Sequence, residues 1–94
     1  WTDFHVAYRI GSRHPIDQGA AGKAILISRN GDSAAYAVTS GELQSGAHGL
    51  AAPVRGVEGL EASVGIVTLD GAIDAAVVAP RVIEAAAQVA SRLR

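Results

Sequence analysis

The side chains able to act as nucleophiles, acids, bases or ligands are few, and their spacing is uninformative for catalysis. His5, His14 and His48 could ligate a metal or move a proton. None has a second His, Asp or Glu at metal-ligand spacing on a shared element, so each reads as an exposed or hydrogen-bonded structural histidine. Ser12, Ser40, Ser45 and Ser63 are the hydroxyl candidates, and none sits in the Gly-x-Ser-x-Gly elbow that presents a nucleophile on a strand-to-helix turn. Glu58 and Glu61 belong to a hairpin and read as solvated. Asp70 and Asp74 lie at the start of the last helix, where the macrodipole favours negative charge. The absence of cysteine removes disulfides, thiolate nucleophiles and zinc–thiolate sites together. Gly19-Ala20-Ala21-Gly22-Lys23 invites comparison with a phosphate-binding loop, but such a loop needs Gly where Asp17 stands and Ser or Thr where Ala24 stands. Close packing of a helix on a sheet explains it better. No catalytic constellation emerges, and the expectation is a non-enzyme with no metal and no cofactor.

The elements that would position these residues follow from periodicity. Asp3 to Ile10 alternates, with Phe4, Val6, Tyr8 and Ile10 on one face, the period-2 pattern of a half-buried strand. Gly11 to Pro15 breaks it as a turn. A helix of about three turns follows, with Asp17 as its expected N-cap and Asn30-Gly31-Asp32 as its end. Ser33 to Val38 is a short strand, then His48 to Val54 and Leu60 to Leu69 are two more, joined by the five-residue loop Arg55-Gly56-Val57-Glu58-Gly59. Both alternating sets of the last strand are small or apolar, which predicts cover on both faces. Ile73 to Arg94 is helical, with a kink or break expected at Pro80. Val78, Val82, Ala86, Val89 and Leu93 form one apolar stripe on it, the expected dimer interface. The fold class is α+β, an antiparallel sheet flanked by helices, including a long C-terminal helix.

Composition narrows the function further. The 94 residues make one domain over 1–94, and the formal charge is −1 with a single lysine and seven scattered arginines. A chain that binds nucleic acid alone shows a basic excess on one face, so DNA contact would need a separate domain. Hydrophobic residues are 49% of the chain, mostly Ala and Val, with few aromatics. Small side chains bury little area each, and a domain this short buries only ~60–65% of its unfolded surface. A homodimer is therefore expected. No apolar run approaches a membrane span and no signal peptide opens the chain, which points to the cytoplasm.

The ordered blocks Gly11-Ser12-Arg13-His14-Pro15-Ile16, Gly19 to Leu26, Gly41-Glu42-Leu43, Gly46 to Arg55 and Ser63-Val64-Gly65-Ile66, followed by a terminal helix with Pro80, resemble the C-terminal part of an IclR-family effector-binding domain. The Ala51-Ala52-Pro53-Val54 piece is the most specific part. The resemblance implies a GAF/profilin-like fold and the sensory, dimerising half of a bacterial transcriptional regulator. It also implies that the DNA-binding module, and the elements that usually open the sensory domain, are absent from this chain. In the family, pockets for small organic acids use a Thr opening the Ala-x-Gly-Lys helix, a polar residue two before Ala-Ala-Pro, and serines on the next strand. The matching positions here are Gly19, Gly49, Gly65 and Val67. Thr39 and Ser63 remain as donors, and Ala51 completes the expected ligand site. A buried carboxylate needs several convergent donors. The pocket therefore either takes a more apolar effector or is vestigial, the chain then serving as a protein–protein interaction and dimerisation module.

Overall fold

β2 (Ala47–Val54) is the centre of the molecule, and its alternation decides where everything else packs. The computed structural model describes residues 15–42, 45–69 and 71–94. The strand expected over Asp3 to Ile10, most of the turn after it, and Asp70 lie outside the described residues. Within them the element order is α1 (Ala20–Arg29), β1 (Ala37–Ser40), β2, β3 (Ala62–Leu69) and α2 (Ala75–Leu93). The three strands form one antiparallel sheet in the order β1-β2-β3, an α+β arrangement.

Successive residues of a strand point to opposite faces. Leu50, Ala52 and Val54 on one face of β2 are buried with Ala79, Val82, Ala86 and Ala90 of α2. Ala51 on the other face is buried with Ala20 and Ala24 of α1. The two helices thus clasp β2 from opposite sides. The small side chains on both partners allow this close approach, and among the described residues Leu50 is the one large side chain wholly removed from solvent.

Five expectations are corrected. The α1 N-cap is Gly19 rather than Asp17, and no side chain of the preceding turn caps it. Residues 15–18 form a turn instead, closed by the Gln18 N–H on the Pro15 carbonyl. β1 begins at Ala37, not Ser33. The Asp32 carboxylate accepts from the Ala34 N–H, and Arg55 donates to the Asp32 and Ala34 carbonyls, so that stretch has partners other than a strand. β3 is not covered on both faces: Gly65, Ile66 and Val67 are exposed, because both helices are centred over β2. The break that Pro80 allowed is absent, since α2 is one helix across it. The carbonyl that loses a donor there belongs to Ala76, which is exposed, so water can serve it. Finally, Val82 and Ala86 of the expected dimer stripe are buried against the chain's own sheet, and Val78 packs at the margin of that core. Of the stripe only Val89 and Leu93 stand open.

Candidate functional site

The α1 face of the sheet is built from very small residues. Register places Thr39 beside Gly49, Gly49 beside Val67, Ala51 beside Gly65, and Pro53 beside Ser63. Cross-strand partners share a face, so all of these look toward α1. A cavity of about 150 Å³ lies where the first turn of α1 crosses β2 and β3. Five of the seven expected ligand residues line it: Gly49, Ala51, Ser63, Gly65 and Val67. Thr39 is buried under the same face, and Gly19 caps the helix whose Ala20 and Ala21 complete the wall. Leu50 and Ile66 also line it and were not expected there, since alternation sends their side chains to the opposite face.

The walls show what the small residues are for. A Cβ on Gly49 would lie 3.1 Å from both the Ala20 Cβ and the Thr39 Oγ1. A Cβ on Gly65 would lie 2.6 Å from the Leu50 carbonyl oxygen and 2.7 Å from the Ala51 Cβ. Gly65 is therefore held to glycine by close packing, while at Gly49 a side chain would need its neighbours to give by a few tenths of an ångström. Ser63 donates its hydroxyl to the Ala21 carbonyl at 3.0 Å, tying α1 to β3 across the cavity. The lining is apolar apart from that bonded hydroxyl and backbone. It contains no charged side chain to meet a carboxylate.

The phosphate-loop-like segment is occupied from within. Glu42 Oε1 accepts from the Gly19 N–H at 3.0 Å, and Glu42 Oε2 pairs with Lys23 Nζ. The lysine and one backbone N–H that an anion would use at this helix terminus already hold a carboxylate. The Lys23 hydrogen bond, with the Gly19 N–H second, keeps the Glu42 carboxyl below its ordinary range. At the other end of α1, Arg29 forms a forked pair with Glu61, 2.7 and 3.1 Å, which lowers the Glu61 carboxyl and raises the guanidinium. Local spacing pairs neither glutamate with its partner, so this double fastening of α1 escaped sequence reasoning. His48 Nδ1 shares a hydrogen bond with Ser40 Oγ at 3.0 Å, the neighbour that strand register dictates. Ser45 is exposed, while His5, His14 and Ser12 lie outside the described residues.

Among the described residues no group of three or more His, Asp or Glu side chains converges as a metal site. No described helix is long and apolar enough to cross a membrane. No family model, curated protein or solved structure matches the chain.

Proposed function

We propose that this chain is a non-enzymatic, cytoplasmic sensing and dimerisation domain of a bacterial transcriptional regulator, GAF-like in architecture. Any DNA contact belongs to a separate domain. The observation that carries the reading is the cavity under α1, which gathers Gly49, Ala51, Ser63, Gly65 and Val67 from two strands. Its apolar lining favours an uncharged or weakly polar effector. A space of ~150 Å³ is of the size that holds a molecule of about benzene size. Binding acts by population shift, so the effector must prefer one arrangement of the domain pair. Dimer contact in this reading uses Val89 and Leu93, the exposed remainder of the α2 stripe.

A thermal-shift series with benzene-sized apolar compounds and small acids tests it. An effector at a hundred times its Kd stabilises by ~2.7 kcal/mol, a rise of roughly 10 °C or more for a domain of this size. No shift with any compound contradicts the sensory role. The second reading, an interaction module with a vestigial pocket, is favoured by one observation: packing and the Ala21 carbonyl already satisfy Gly49, Gly65 and Ser63. It expects a dimer in light scattering at every ligand concentration, including none.

A further inference from the structure

On the opposite face of the sheet, the short length of β1 leaves half of one edge of β2 unpaired among the described residues. β1 pairs with His48 to Ala51 only, so among the described residues Ala52 to Val54 have no strand on that side. A partly open cavity of about 190 Å³ occupies the corner between this bare edge, the segment before β1, and the last turns of α2. Its floor is apolar, formed by Ala52, Ile83, Ala87 and Ala90, and two arginines, Arg55 and Arg94, line its rim.

Both arginines line this one cavity. Arg55 Nη2 donates to the Ala34 carbonyl at 2.8 Å and the Asp32 carbonyl at 3.3 Å, which fixes the guanidinium plane. A guanidinium carries five donors, so this leaves its remaining N–H groups for a ligand. The Arg94 guanidinium lies against Gly56, the next residue: a Cβ there would meet Arg94 Nε and Nη2 at 3.6 Å. Among the described residues neither arginine pairs with a carboxylate; the ion pairs are Lys23–Glu42 and Arg29–Glu61. The C-terminal dipole of α2 favours a cation at Arg94.

We infer that this corner is a binding site for a small apolar monocarboxylate, its hydrocarbon body on Ala52, Ile83, Ala87 and Ala90 and its carboxylate between Arg55 and Arg94. Arginine forks match carboxylate geometry, and a cavity slightly larger than one that holds benzene suits a ring of six carbons. The site is separate from the cavity under α1 and does not rest on the effector reading above.

Benzoate and its neutral counterpart benzamide, titrated into the full chain and followed by amide chemical shifts, provide the test. Saturable shifts with benzoate are expected at Arg55, Ala87 and Ala90, with benzamide about tenfold weaker. Arg94→Gln should weaken benzoate by about tenfold and leave benzamide unchanged. Ala87→Leu should abolish both, its larger exposed side chain filling the cavity while the dispersed spectrum shows the fold intact. Equal binding of the two probes, unchanged benzoate affinity in Arg94→Gln, or no saturable shift at these residues overturns the proposal. Shifts confined to Ala20, Ala21 and Ser63 also overturn it, and would place the acid under α1 instead.

Discussion

Gly22 decides how closely α1 can follow the turn before it. An added Cβ would lie 2.0 Å from the Ile16 carbonyl oxygen and 2.8 Å from its carbon, both backbone atoms that cannot swing aside. Two effects compete in Gly22→Ala. Helix propensity favours alanine by ~1 kcal/mol, whereas overlap of this severity costs ~1–3 kcal/mol or more. The overlap wins, so urea denaturation should show net destabilisation, where an exposed helical glycine would show a gain. Leu50 is the converse case, a single large side chain among alanines. Leu50→Ala should cost ~2–5 kcal/mol by the same measurement, toward the upper end if the surrounding small side chains cannot collapse into the space.

At the scale of elements, α1 is fastened at both ends by glutamates from other parts of the chain, Glu42 at its start and Glu61 at its end. Both carboxyls are held below their ordinary values, through the Lys23 and Arg29 hydrogen bonds respectively. A depressed carboxyl stabilises the fold above its unfolded-state pKa, and that contribution fades as pH falls through the folded-state value. Tm should therefore fall on acidification through and below the ordinary glutamate range. In the double variant Glu42→Gln, Glu61→Gln the fall should be shallower. α2 makes a different prediction. Pro80 is exposed and lies past the first turn, so its missing N–H is a cost without an evident return. Pro80→Ala should raise stability by ~1–3 kcal/mol in urea denaturation.

Over the whole molecule, what could be read from the sequence depended on whether the signal was local. β2, β3 and α2 lie within two residues of their expected bounds, because alternation, the Arg55–Gly59 loop and the helical spacing of the α2 stripe are all local. β1 shifted because Arg55, far along the chain, takes the carbonyls of residues 32 and 34. The apolar stripe of α2 was visible, but periodicity cannot say whether such a face meets a second subunit or its own sheet. Val82 and Ala86 meet the sheet. The ligand residues came from position within a resemblance, and strand register brings five of them around one cavity. Their small size has a second cause that no sequence pattern discloses, the contact distances at Gly49 and Gly65.

The central claim is that the space under α1 receives a ligand, and Ala21 offers the most direct test. Its side chain lines the cavity yet is exposed, so Ala21→Leu fills the space with little demand on the core. Tm is measured for the original chain and for Ala21→Leu with a benzene-sized compound, alongside amide shifts at Ala20, Ala51 and Ser63. The sensory reading predicts a ligand-dependent rise in Tm with shifts at those residues, both abolished by Ala21→Leu. A rise that survives Ala21→Leu, or no rise in the original chain, would contradict it.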